Sequence, residues 1–160
     1  MSLLKKLSIF LVVSVFLFLQ SLPVSHAQEK RDPLLEKAIG EYKHENYEEA
    51  LSTLKKLRSE APESTIAAYY MGLTYKKMQD YSNAIPALRD SVTHSPKIEG
   101  ALVELIDCLG QVDDLETARK WIGEAERENI RPAQVAFLKG LILVKDGDTE
   151  DAIEAFRHAE

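Results

Sequence analysis

Between Pro33 and His44 the apolar residues Leu34, Leu35, Ala38, Ile39 and Tyr42 fall three and four positions apart, with charged residues between them. That spacing puts them on one face of an α-helix, whereas a strand would alternate at every second residue. Pro33 suits a helix start, where its missing N–H has no partner to lose. After a turn at Glu45-Asn46 the pattern resumes from Tyr47 to Glu60 with Ala50, Leu51, Leu54 and Leu57, until Pro62 stops it. The same reading predicts helices near 64–78, 81–94, 98–111, 114–128, 132–146 and 148–160. Turns are expected at Gln79-Asp80, Ser95-Pro96, Val112-Asp113, Asn129-Ile130 and Asp146-Gly147. No stretch alternates as a strand would, so the fold is expected to be all-α.

A second period lies over the first. Ala50, Ala84, Ala118 and Ala152 recur at one constant interval, and Tyr47, Tyr81 and Leu115 keep it, as do Pro62 and Pro96. Gly72 and Gly140 are two intervals apart. The interval, about 34 residues, holds two helices and their turns. One helix pair of this length cannot bury its apolar face alone, so copies must stack. Gly72 and Ala84 are small where two antiparallel helices approach, and Tyr75, Tyr81 and Leu88 fill the space around them. A bulky residue at Ala84 would overpack that contact by roughly 1–3 kcal/mol, and Ala152→Leu should act alike. Lys55→Ala, on a charged face, is expected to be silent. Pro86 costs least if its helix begins at Ser82, whose carbonyl loses the bond.

Residues 1–27 stand apart. Lys5 and Lys6 precede an uncharged apolar run, Leu7 to Leu19, then Pro23 and the small-residue site Ser25-His26-Ala27. This is the pattern of a secretory signal peptide, with a mature start at Gln28. A retained anchor is the alternative, but the run is short of the roughly 20 residues a membrane span needs. Export to the periplasm or beyond is therefore expected. No Cys adjoins the site for lipid attachment.

The composition is that of a globular chain, with 45% apolar and 29% charged residues. Removing Lys5 and Lys6 leaves 18 basic against 26 acidic side chains, a net charge of about −8. That balance argues against nucleic acid, whose phosphates need a basic surface. The single cysteine, Cys108, falls among Val103, Leu105, Ile106 and Leu109 and reads as packed, not reactive. Asp146-Gly147-Asp148 with Asp151 lacks the ligand spacing of a calcium loop and reads as a turn with a helix cap. His44, His94 and His158 are isolated, and no phosphate loop, nucleophile elbow or Cys-His pair occurs. The chain is read as non-enzymatic, without metal or cofactor. The acidic runs Glu48-Glu49 and Glu124 to Glu128 read as solvated helix faces.

These residues together resemble the tetratricopeptide repeat family. The second unit matches through Met71, Gly72, Tyr75, Tyr81, Ala84, Leu88 and Pro96, and the fourth through Gly140, Gly147, Ala152, Phe156 and Ala159. The third carries Leu105, Leu109, Leu115, Ala118, Ile122 and Ala125, but Ile106 replaces the usual Gly and Ile130 the usual Pro, implying a wider helix contact. The first matches at Ala38, Tyr47, Ala50, Leu54 and Pro62 and departs at Lys37 and Glu41, and Trp121 is not where the family has its Trp. The resemblance implies a right-handed superhelical solenoid of antiparallel helix pairs. Its units lie near 31–64, 65–98, 99–132 and 133–160, the last incomplete, in a repeat domain over 28–160.

In such repeats the first helices line a concave groove that takes a partner's peptide or helix. The resemblance maps this groove to Leu35, Ile39, Tyr69, Tyr70, Leu73, Lys76, Val103, Asp107, Phe137, Leu138 and Leu141. Ile39, Leu73, Asp107 and Leu141 occupy the places where chaperone-binding members hold a terminal carboxylate with Asn, so that clamp is not expected. Truncating Tyr70 or Phe137 is expected to weaken binding while sparing the fold, with Lys77 affecting mainly the association rate. The implied function is a protein-interaction scaffold of the cell envelope. The alternative is the amino-terminal periplasmic region of a larger envelope or outer-membrane assembly protein.

Overall fold

Eight α-helices form among residues 32–94 and 98–159, the part of the chain that the computed structural model describes. They are α1 (Pro33–Lys43), α2 (Tyr47–Glu60), α3 (Thr65–Lys77), α4 (Tyr81–Thr93), α5 (Glu99–Gln111), α6 (Leu115–Arg127), α7 (Pro132–Asp146) and α8 (Thr149–Arg157). The bounds of α2 and α7 coincide with those predicted, and the others differ by a few residues at their ends. The expected signal peptide, the start at Gln28 and the Ser95-Pro96 turn lie outside the described residues.

The turns inside the four helix pairs are copies of one another. Glu45, Gln79, Asp113 and Gly147 recur at the repeat interval in left-handed conformation, at φ 63°, 58°, 59° and 90°. After each, the next N–H donates to a carbonyl near the end of the preceding helix: Asn46 to Glu41, Asp80 to Tyr75, Asp114 to Leu109 and Asp148 to Leu143, at 2.9–3.0 Å. This closure satisfies carbonyls that the helix end would leave unpaired. Only the fourth copy uses glycine, the residue for which that conformation costs least.

Asn46, Asp80, Asp114 and Asp148 then stand at the N-cap of the second helix in each pair. Asp80 accepts from the Asn83 N–H and Asp114 from the Thr117 N–H, each at 3.2 Å. The cap expected at Asp148 does not form. Asp146 and Asp148 face Arg119 instead, Asp148 at 3.8 Å. Among the described residues no group of His, Cys, Asp and Glu is placed to hold a metal. No described helix is long and apolar enough to cross a membrane.

Within each pair the small residues are where the helices touch. Ala50, Ala84 and Ala118 are fully buried and Ala152 nearly so. A Cβ at Gly72 would lie 2.6 Å from Leu88 Cδ2 and 3.3 Å from the Leu88 backbone nitrogen, and one at Gly140 would lie 2.6 Å from Phe156 Cδ1. The matching places in the third pair hold Ile106 and Ile122, both in the core. There α5 and α6 associate less closely than α3 and α4, the wider contact expected when Ile stands for Gly. Pro86 lies inside α4, which begins at Tyr81 and not at Ser82. Pro86 and Ser82 are both exposed, so water can satisfy the carbonyl the proline deprives.

Two apolar clusters result. The smaller joins Ala38, Leu54, Leu57 and Ala67, with Leu34, Leu35, Tyr70 and Met71 packed against it. The larger runs from Ala84 and Leu88 to Val135 and Ile142, covered in part by Tyr69, Tyr75, Tyr81, Val103, Trp121 and Leu138. Cys108 is buried in it, and burial pushes its thiol up to about 12, so it packs as a small apolar group. Lys55, expected to be silent, instead holds its ammonium 5.9 Å from the centre of the Tyr75 ring. That contact is worth about 0.5–1 kcal/mol at an exposed site, so exposed Lys56 is the better neutral control.

Ser91 is buried in α4, and its hydroxyl meets no hydrogen-bond partner among the described residues. An unpaired buried hydroxyl costs about 1–3 kcal/mol. One repeat later the same place holds Ala125, fully buried. Ser91→Ala is therefore expected to raise the melting temperature, as thermal unfolding followed by circular dichroism will register; a decrease would refute this reading of the site.

Stacking of the pairs is one-sided. Successive first helices touch, α1 on α3, α3 on α5 and α5 on α7, whereas among the described residues successive second helices do not approach backbone to backbone, and α2 and α4 meet through the longer reach of the Arg58–Asp90 ion pair. Helices that converge on one side and diverge on the other make a curved solenoid. The first helices are the inner, concave layer.

Candidate partner-binding groove

Residues at equivalent places on α1, α3, α5 and α7 share this inner face, because all four helices stack in the register of the repeat. Three groups occupy it. At the α1–α3 end, Tyr42 meets the Tyr70 ring edge-on with centroids 5.9 Å apart, and Tyr69 and Tyr70 are 5.5 Å apart. Burial raises the phenol pKa of Tyr42 and Tyr69, with the negative charge of Glu104 among the further causes in both. Tyr69 also reaches α5, where a Cβ at Gly100 would be 3.0 Å from its hydroxyl. Gly100 is thus small because a tyrosine crosses it.

In the middle, Lys76 of α3 donates to Glu104 at 2.5 Å and to Asp107, both on α5. Burial alone would lower the pKa of Lys76. Hydrogen bonds to Asp107 and Glu104 outweigh that and raise it, so this ammonium stays charged across the working pH range. Its three side chains are only 25–29% exposed, enough to weaken screening by solvent.

Toward α7 the groove opens into a cavity of about 450 Å³, lined by Val103, Phe137, Leu138 and Leu141 beside Lys76, Glu104 and Asp107. Phe137 is 50% exposed and Leu141 40%. Large apolar side chains left so open within a concavity are a feature of binding surfaces. A smaller cavity, about 230 Å³, lies among Val92, Leu102, Trp121 and Ile130 with Glu99, Glu124 and Glu128 at its edge; it contains no residue of the predicted groove.

The structure thus gathers Lys76, Val103, Asp107, Phe137, Leu138 and Leu141 around one cavity. It gives others a double part. Leu35 and Tyr70 pack on the smaller core cluster, and Tyr69, Val103 and Leu138 on the larger. Ile39 and Leu73 are half-buried. Asp107, at the place of a clamp Asn, is committed to Lys76. Sequence reasoning left Tyr42 and Glu104 out of the groove. The repeat contained the signal, since Tyr42 stands one interval before Lys76, and Glu104 stands one interval after Tyr70 and one before Leu138.

Residues 35–97 and 133–160 each match the tetratricopeptide repeat, and together they make up more than half of the chain. The chain belongs to the tetratricopeptide repeat family. Tetratricopeptide repeats are scaffolds that bind protein partners and are typically non-enzymatic, which agrees with the open groove and the solenoid. The fold is similar to MamA 41-end from Desulfovibrio magneticus RS-1, with a TM-score of 0.73 at 23% identity over 82% of this chain and 75% of that one. It is also similar to a thermophilic TPR protein in Thermus thermophilus, with a TM-score of 0.63 at 23% identity over 79% of this chain and 71% of that one. In sequence, 114 residues are 27% identical to BBSome complex member BBS4 of Mus musculus, covering 71% of this chain. This repeat chain matches 22% of that relative's length.

Proposed function

We propose that the protein is a non-enzymatic scaffold of the cell envelope that docks a peptide or helix of another protein along its concave groove. The observation that carries the docking is the half-exposed Phe137 and Leu141 at a cavity whose far wall is the Lys76, Glu104 and Asp107 cluster. Apolar anchors beside oriented charges are how interfaces obtain both affinity and register. The location rests on Lys5, Lys6, the Leu7–Leu19 run and Ser25-His26-Ala27.

A second reading, the repeat region of a larger envelope or outer-membrane assembly, is favoured by the outer face of the last helix pair. Val144 and Ile153 are 55% and 49% exposed there. Their counterparts one or two repeats earlier, Gly110 and Ile85, pack against the next pair or the core.

Amino-terminal sequencing of exported protein is expected to begin at Gln28, and affinity capture from a periplasmic extract should retain a partner that Phe137→Ala releases. Membrane-bound material that starts at Met1 would overturn the exported soluble scaffold. Capture unchanged by Phe137→Ala would overturn the groove.

A further inference from the structure

We propose that the partner segment seated in this groove presents a lysine or arginine side chain beside its apolar anchors, and not a free terminal carboxylate. The inference deepens the groove reading and rests on it. Val103, Phe137, Leu138 and Leu141 give the cavity an apolar lining suited to a leucine-sized or aromatic anchor. Its charged wall is unbalanced. One ammonium, that of Lys76, faces two carboxylates, Glu104 at 2.5 Å and Asp107, so the wall keeps one net negative charge.

Those side chains are about three-quarters buried, where a missing counter-charge is felt more than on an open surface. A carboxylate brought there would meet Asp107 and Glu104 as like charges, while an ammonium or guanidinium would complete the set. The other nearby cation, Arg131, lies by Tyr69 and donates to Gln134 at the cavity edge at 3.3 Å; its own side chain is not in the lining and does not pair with Glu104 or Asp107. The chain as a whole carries a formal charge of −6, which steers a basic segment inward and slows an acidic one.

The test uses two amidated, acetylated helical peptides of equal length and the same apolar stripe, one with Arg and one with Glu next to the anchor residue. Calorimetry against the full repeat chain is expected to show the Arg peptide bound about tenfold tighter. Lys76→Gln should widen that preference, because the wall then holds two uncompensated carboxylates. Glu104→Gln with Asp107→Asn should remove or reverse it. Phe137→Ala should weaken both peptides alike, and circular dichroism checks that each variant stays helical.

Equal binding of the two peptides, with Phe137→Ala weakening both, overturns the charge inference and leaves the groove standing. A preference that Lys76→Gln does not widen also overturns it. Failure of both peptides to bind at millimolar concentration, or binding insensitive to Phe137→Ala, overturns the groove and this inference with it.

Discussion

Gly72→Ile is expected to lower the melting temperature by roughly 5–10 °C, while Lys56→Ala leaves it unchanged. The added Cβ would fall 2.6 Å from Leu88 Cδ2 and 3.3 Å from the Leu88 backbone nitrogen, so turning the leucine side chain cannot clear it and the two helices must part. Overpacking of a tight core costs about 1–3 kcal/mol, occasionally more, and at roughly 2–4 °C per kcal/mol for a chain of this size the shift is easily read. Shrinking the opposing side chain should restore part of the loss, so Gly72→Ala with Leu88→Ala is expected to melt higher than the sum of the single changes implies. Gly140 against Phe156 should behave alike. Unchanged melting in Gly72→Ile would show that the register of the second pair is wrong.

The second large effect separates two residues that sequence reasoning treated as equivalent. Phe137→Ala should weaken partner binding by about 2 kcal/mol or more and cost the fold little, because the ring is half-exposed and its main aromatic neighbour is Phe156, 5.7 Å away. Tyr70→Ala should lose stability as well. Its ring packs on the cluster of Ala38, Leu54, Leu57 and Ala67 and touches Tyr42 and Tyr69, and emptying such a site costs about 2–5 kcal/mol. Thermal melts of the two variants together with calorimetry against the captured partner distinguish the cases. Equal stability of both would return Tyr70 to the surface role first expected of it, and loss of folding in Phe137→Ala would make that ring part of the core. Lys77, exposed in the last turn of α3, should change mainly the association rate.

Sequence alone determined what depends on neighbours along the chain. Helix bounds follow from apolar spacing at three and four positions, and Ala50, Ala84, Ala118 and Ala152 announced the register of buried contacts from one repeat to the next. Even the repeated left-handed turn at Glu45, Gln79, Asp113 and Gly147 was written there, though three of its four residues are not glycine and so hid it. Tertiary structure decided what depends on how one first helix lies against the next. Lys76 is distant along the chain from its partners Glu104 and Asp107, and no local pattern pairs them. They meet because α3 and α5 stack on the concave side. The same stacking lays Tyr69 across Gly100 of α5 and leaves its counterpart two repeats on, Phe137, open. A side chain's burial is set by the helix that arrives beside it, and the periodicity of a single helix does not contain that helix.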